Sequence, residues 1–194
     1  MNWFVKTNLV DVLKHWKPSD RRDIAKKNKF ILDQELIQSI SEQKWDKCII
    51  RQTGDQHIGK GIFAKQDIQK REVICDYHGD LISHKEGMHR YKSYPSEINH
   101  YMMFFELNGT KYCIDGNTNC SCRNFSKDRI KGRLIIHSKT HPNIRYKPQL
   151  LDNVPRVFLH AKVDIELGDE LKFDYGVAKD RISREECAST FLAR

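Results

Sequence analysis

Ala64-Lys65-Gln66-Asp67-Ile68 runs through Gln69-Lys70-Arg71 to Val73-Ile74-Cys75-Asp76-Tyr77-His78-Gly79, and much later Ala161-Lys162-Val163-Asp164-Ile165 runs through Leu167-Gly168-Asp169 to Leu171-Lys172-Phe173-Asp174-Tyr175-Gly176. Each copy joins a polar turn to a β-prone run, so each reads as a hairpin. Each ends in a tyrosine beside a glycine. If the fold brings the two ends together, two phenols line one cleft, each an apolar wall with a hydroxyl that donates or accepts a hydrogen bond. Two unrelated hairpins with core tyrosines would give the same pattern.

Outward from the repeat, Cys48-Ile49-Ile50 and Ile62-Phe63-Ala64, the latter after the bend Gly59-Lys60-Gly61, read as strands. Ser83-His84-Lys85-Glu86 has the capping-box order that opens a helix toward Tyr91 and Tyr94, and Pro95 ends it. Tyr101–Leu107 and Thr110–Ile114 flank Asn108-Gly109, the preferred type I′ pair, which predicts a hairpin. Gly116–Lys131 is long and polar and reads as an excursion over the surface or the cleft. Upstream, Leu9, Leu13 and Trp16 share a helical face closed by Pro18, while Leu32, Leu36, Ile37 and Ile40 mark a second helix after about Asp33. The run Arg21–Lys29 is basic enough for nuclear import or phosphate contact, though such runs are common on plain solvated faces, the preferred reading.

Lys and Arg outnumber Asp and Glu by 34 to 26 in 194 residues, a net charge of +8 that favours anionic surroundings such as nucleic acid, chromatin or acidic peptide. No apolar stretch approaches a membrane span, and the start lacks the basic-then-apolar order of a signal peptide, so an intracellular protein is expected. The six cysteines are irregularly spaced and are expected as free thiols. Cys120-Ser121-Cys122 has no second pair at a zinc-site spacing, so no metal is expected.

Four elements stand in order: Gly59-Lys60-Gly61, Tyr77-His78-Gly79-Asp80-Leu81-Ile82, Gly132-Arg133-Leu134-Ile135-Ile136-His137-Ser138 and Phe173-Asp174-Tyr175-Gly176. Together they resemble the SET-domain protein-lysine methyltransferases, and Tyr77–Ile82 with Thr110-Lys111-Tyr112-Cys113 is most similar to the PR-Set type that methylates the histone H4 tail. The resemblance implies a mainly β fold with flanking helices, the β-clip arrangement of short sheets and hairpins with a knot-like C-terminal active-site segment. It divides the chain into a helical flank at 1–47, a SET domain at 48–176 and a segment at 177–194 that closes the cofactor site. The implied cofactor is S-adenosylmethionine, with contacts at Ile58, Gly59, Lys60, Gly61, Tyr101, Ile136 and His137, and with Phe191 over the adenine. By the same resemblance Tyr175 is the catalytic tyrosine, Tyr77 lines the lysine channel, and Phe173 sits where the family's choice of tyrosine or phenylalanine governs the number of methyl groups added.

The implied partners are a histone tail or another lysine-bearing protein, nucleosomal DNA on the basic surface and no membrane, with a place in the nucleus on chromosomes. One departure stands out. The family motif reads Asn-His-Ser, and Ile136 replaces the asparagine that helps hold the amino-acid end of the cofactor. A lost hydrogen bond to a charged group costs about 1.5–3 kcal/mol, roughly tenfold or more in affinity. The sequence therefore leaves two functions open, a lysine methyltransferase and a catalytically impaired module that binds peptide or chromatin.

Overall fold

The computed structural model describes residues 21–54, 59–95, 101–117 and 130–174, the side chains of 21–24 and 26–28 excepted. The chain divides into two compact units, Met1–Ser39 and Ile40–Arg194. Helix α1 spans Arg21–Glu42. It opens earlier than the periodicity near Asp33 predicts, because no glycine or proline interrupts residues 21–42 and the basic run is rich in good helix formers. The expected helix over Leu9–Trp16 lies outside the described residues. No helix among the described residues is long and apolar enough to cross a membrane.

The rest is mainly β. Strands β1 (Cys48–Gln52) and β2 (Lys60–Ala64) form an antiparallel pair. β4 (Asp80–Ser83), β5 (Met102–Leu107) and β6 (Thr110–Asp115) form a three-stranded sheet in the order β4-β6-β5. A five-stranded sheet has the order β3-β9-β8-β10-β7, from β3 (Val73–Asp76), β7 (Ile136–His137), β8 (Ile144–Leu151), β9 (Val154–Ala161) and β10 (Lys172–Phe173).

The local turn chemistry accounts for several of these elements. Asn108 at φ 52° and Gly109 at φ 76° make the expected tight β5–β6 turn. Ser83 caps helix α2 (His84–Ser93), its hydroxyl accepting the Glu86 N–H. Under that helix lie Met102, Phe104 and Cys113, packed with Ile82, Met88, Tyr91 and Tyr94. The longest ladder, β8–β9, turns at Asp152 (φ 51°) and Asn153 (φ 59°) without glycine. Pro148 and Pro155 inside its strands hide it from a sequence reading.

The repeated phrase does not fold as two hairpins. Its copies grip each other. Ile68 and Ile165 exchange both backbone hydrogen bonds at 2.9 Å. Each turn is held by the other copy: Gly168 N–H donates to Ala64 O, and Arg71 N–H donates to Ala161 O, both at 2.9 Å. The strand after the first turn then pairs with β9, and the strand after the second pairs with β7 and β8. A hairpin would leave the polar groups of each turn to its own copy, whereas the crossed arrangement satisfies them reciprocally.

Candidate active site

Tyr77 follows β3 and is 6% exposed. Two glycines let backbone close on it. At Gly132, which opens a 3-10 turn over Gly132–Leu134, a Cβ would strike the Asp76 carbonyl oxygen and lie 3.1 Å from Tyr77 Cα. At Gly116 a Cβ would stand 2.8 Å from the Tyr101 carbonyl oxygen and 3.6 Å from both Cε1 and the hydroxyl of Tyr77. Gly116 N–H donates to Tyr101 O at 2.9 Å. Arg133 Nη1 donates to Gly116 O at 2.8 Å, and its guanidinium carbon lies 5.8 Å from the centre of the Tyr101 ring, a cation–π distance. Thus Tyr77, Tyr101 and the Gly132–Leu134 turn, three separate motifs in the sequence, share one site.

A buried carboxylate holds the end of β6 against this site. Asp115 is fully buried and accepts hydrogen bonds from Arg90 Nη1 at 3.0 Å, Tyr94 Oη at 2.8 Å and the Asn117 N–H at 3.0 Å. Burial alone would raise its pKa, but these donors together hold it below the usual carboxylate value. Burial and the neighbouring Asp115 charge raise the Tyr94 phenol, which remains a donor. Helix α2 is thereby tied to the backbone that carries Gly116.

Phe173 is 5% exposed in β10, between β7 and β8 in the sheet, and meets Tyr146 edge-on at a ring separation of 5.7 Å. Its carbonyl accepts the Ser138 N–H at 2.9 Å and lies 3.2 Å from His137 Nδ1. Ile136 pairs with Lys172, and His137 pairs with Phe173. The isoleucine therefore leaves the backbone pairing of this segment intact.

The glycine bend adjoins the same elements. Gly59 sits at φ 72°, and its carbonyl accepts from the Thr53 N–H at 2.7 Å and the Thr53 hydroxyl at 2.9 Å. A Cβ on Gly61 would come within 2.8 Å of Thr53 Cγ2. β2 continues from this bend, packs on the Gly132–Leu134 turn, and pairs through Ile62 O with the Leu171 N–H just ahead of β10. Lys60 is exposed, Tyr101 and Ile136 are half-buried, and His137 is exposed.

Tyr175, Ile58 and Phe191 lie outside the described residues, as does the expected meeting of the Tyr77 and Tyr175 phenols. Cys48, Cys75 and Cys113 are buried free thiols. Among the described residues no group of three or more His, Cys, Asp or Glu side chains forms a metal site. Asp115 escaped the sequence reading, and Arg133 and Gly116, though inside quoted stretches, were given no role there. Of these, only the clustering of polar residues at the end of a strand, Asp115-Gly116-Asn117, carries a local signal.

The family model that matches this chain is that of the SET domain, over residues 59–176. N-lysine methyltransferase KMT5A-A of Xenopus laevis is 36% identical over 159 residues, covering 81% of this chain and 43% of the relative. Histone-lysine N-methyltransferase Set8 of Drosophila melanogaster is 34% identical over 143 residues, covering 73% of this chain and 19% of the relative. Among solved structures, CpSET8 from Cryptosporidium superposes with a TM-score of 0.60 at 28% identity, covering 88% of this chain and 78% of that one. Chaetomium thermophilum Polycomb Repressive Complex 2 bound to the inhibitor GSK126 superposes with a TM-score of 0.51 at 27% identity, covering 70% of this chain and 15% of that one. The chain spans less than half the length of the curated relatives it matches.

Proposed function

The chain belongs to the SET-domain family, and from that membership we propose that it is an S-adenosylmethionine-dependent protein-lysine N-methyltransferase acting on a histone tail of the H4 type. The observation that carries this reading is the convergence of Tyr77, Gly116 and Tyr101 on one another, with β2 packed behind the Gly132–Leu134 turn. We take residues 48–176 as the catalytic domain and 177–194 as its closing segment.

The residues present fit the cofactor. Gly59, at φ 72°, has no described atom within 4 Å of where a Cβ would stand, so the bend presents bare backbone, and Tyr101 and Ile136 offer half-buried apolar surface. Ile58, Gly59, Lys60, Gly61, Tyr101, Ile136, His137 and Phe191 would hold it. When bound, it supplies a methyl group on a positively charged sulfur.

The protein's own task concerns the lysine. A free lysine has a pKa of about 10.4 and is protonated at neutral pH, so it cannot act as a nucleophile. An apolar aromatic channel disfavours the ammonium form, and the phenols of Tyr77 and Tyr175 then orient the neutral amine by packing and hydrogen bonding. Backbone carbonyls near Tyr101 and Ile135 would accept weak C–H···O contacts from the polarised methyl group of a bound cofactor. Phe173 lacks a hydroxyl with which to hold a space-filling water, which favours dimethyl-lysine or higher as product.

The β7–β10 backbone pairing is kept at Ile136, so its cost is confined to one side-chain contact, and the methyltransferase names of the relatives support the enzyme over the impaired module. A chromosomal, nuclear setting belongs to this reading: histone tails are found there, and the +8 charge favours contact with the phosphates of nucleosomal DNA. The deciding experiment is incubation with S-adenosylmethionine and either nucleosomes or free histones, read by intact mass. Methyl increments on a histone support the reading, and cofactor binding by calorimetry without transfer to any histone overturns it.

A further inference from the structure

Gln43 is the first residue beyond α1 and has φ 46°, in the left-handed region where helices ordinarily end on glycine or asparagine. A side chain there costs about 1 kcal/mol or more relative to glycine. The backbone requirement is only to close the helix, through a Gln43 N–H donation to Ile40 O at 3.2 Å, which glycine would do as well. Yet the glutamine side chain is not left in water. It is 3% exposed, and its amide nitrogen lies 3.0 Å from Ile40 O, 3.1 Å from Asp76 Oδ1 and 2.8 Å from His78 Nδ1. Asp76 is 3% exposed and His78 is 2% exposed, and His78 Nδ1 lies 2.9 Å from Asp76 Oδ2. With the imidazole proton assigned to Nδ1, that proton meets Asp76 Oδ2 and the two amide protons meet Ile40 O and Asp76 Oδ1, so the 2.8 Å approach of the amide nitrogen to Nδ1 is a contact between two donors and Gln43 acts through Asp76.

Asp76 and His78 flank Tyr77. In an extended chain alternate side chains point to opposite faces, so anchoring both neighbours on one face fixes the Cα–Cβ direction of the tyrosine on the other. The Tyr77 N–H is itself held by Val157 O at 2.8 Å. Rotating the backbone at Tyr77 would break buried hydrogen bonds on each side of it, a cost of about 1–3 kcal/mol for each group left unsatisfied. We infer that Gln43, which lies outside the segment matched by the SET-domain family, is a positioning residue that aims the Tyr77 phenol at Gly116 through the buried Gln43–Asp76–His78 cluster. The inference rests on the reading of Tyr77 as a wall of the lysine channel. It also gives a reason for a side chain at a backbone position that glycine would occupy more easily.

The test compares the parent with Gln43→Gly and with Gln43→Met, which keeps side-chain length and removes the amide. Three quantities are read: steady-state methylation of histone, thermal unfolding, and the fluorine NMR signal of Tyr77 in 3-fluorotyrosine-labelled protein, assigned with Tyr77→Phe. Both variants should lose about tenfold in kcat, with little change in KM for S-adenosylmethionine. Gln43→Gly should melt below the parent, because relief at the backbone offsets only part of the lost amide hydrogen bonds. The Tyr77 signal should shift or broaden in both. Parental turnover with an unchanged Tyr77 signal in a folded variant overturns the inference, and Gln43→Met decides it should Gln43→Gly not fold. If the parent transfers no methyl group, the proposed function fails while the Tyr77 signal still decides the role of Gln43.

Discussion

Ile68 and Ile165 are each other's backbone partners, each N–H donating to the other's carbonyl at 2.9 Å. Around that pair the two copies of the repeated phrase correspond position by position. Lys70 N–H donates to Asp164 Oδ1 at 2.7 Å, and its counterpart, Leu167 N–H, donates to Asp67 Oδ1 at 2.9 Å. Because these bonds are exposed, Asp67→Ala and Asp164→Ala should each lower stability by about 1 kcal/mol in urea unfolding. Unequal effects, with one substitution silent, would contradict the correspondence.

The same correspondence sets Arg71 at φ 77° against Gly168 at φ 94°. Both must be left-handed to return the chain to the other copy. Gly168→Ala should therefore cost about 1 kcal/mol, with a lowered Tm, whereas Arg71→Gly should leave stability unchanged or raise it.

His160 provides a pH signature. Burial lowers its pKa, donation from Nδ1 to Arg71 O at 3.0 Å works in the opposite direction, and the charges of Lys147 and Arg145 lower it further. Its folded pKa lies below the unfolded value of about 6.5, so the unfolded chain takes up the proton first as pH falls. Stability from this residue is complete above that pH and is lost as pH drops below it. Thermal unfolding of His160→Gln should show a shallower loss than the parent across that window, and parallel curves would remove His160 from the account.

Much of this was legible in the sequence because it is local. Asn108-Gly109 specifies its turn and Ser83 its cap by chemistry confined to a few residues. The β-prone runs after each copy were likewise correct as strands. Their partners were not, because pairing is set by contacts distant along the chain: nothing near Ile68 says that Ile165 is its neighbour. The site divides in the same way. The glycines and tyrosines stood out as motifs, while Gln43, Gly116 and Arg133 acquire meaning only once separate strands bring them to Tyr77 and Tyr101.

Restoring asparagine at position 136 tests the one departure from the family motif. Ile136→Asn should tighten S-adenosylmethionine binding by roughly tenfold in calorimetry, the value of a recovered hydrogen bond to a charged group. Unchanged affinity would mean that the backbone of β7 already supplies what the side chain would add.

Phe173 is packed edge-on against Tyr146 with its ring buried. Phe173→Tyr adds a hydroxyl able to retain water beside the amine. The product distribution, read by mass spectrometry, should move toward monomethyl-lysine. A parent that yields only monomethyl-lysine would disprove the role given to this ring.

The interlocked turns also govern how the molecule comes into being. As the chain leaves the ribosome, the segment around Ala64–Asp76 emerges long before Ala161 and Ile165, which complete its hydrogen bonds. The early half can collapse but cannot close, since contacts so remote in sequence form late and slowly. A stalled or truncated product ending before residue 161 would expose unpaired edges suited to aggregation or chaperone capture, so this stretch succeeds or fails at folding as a single indivisible unit.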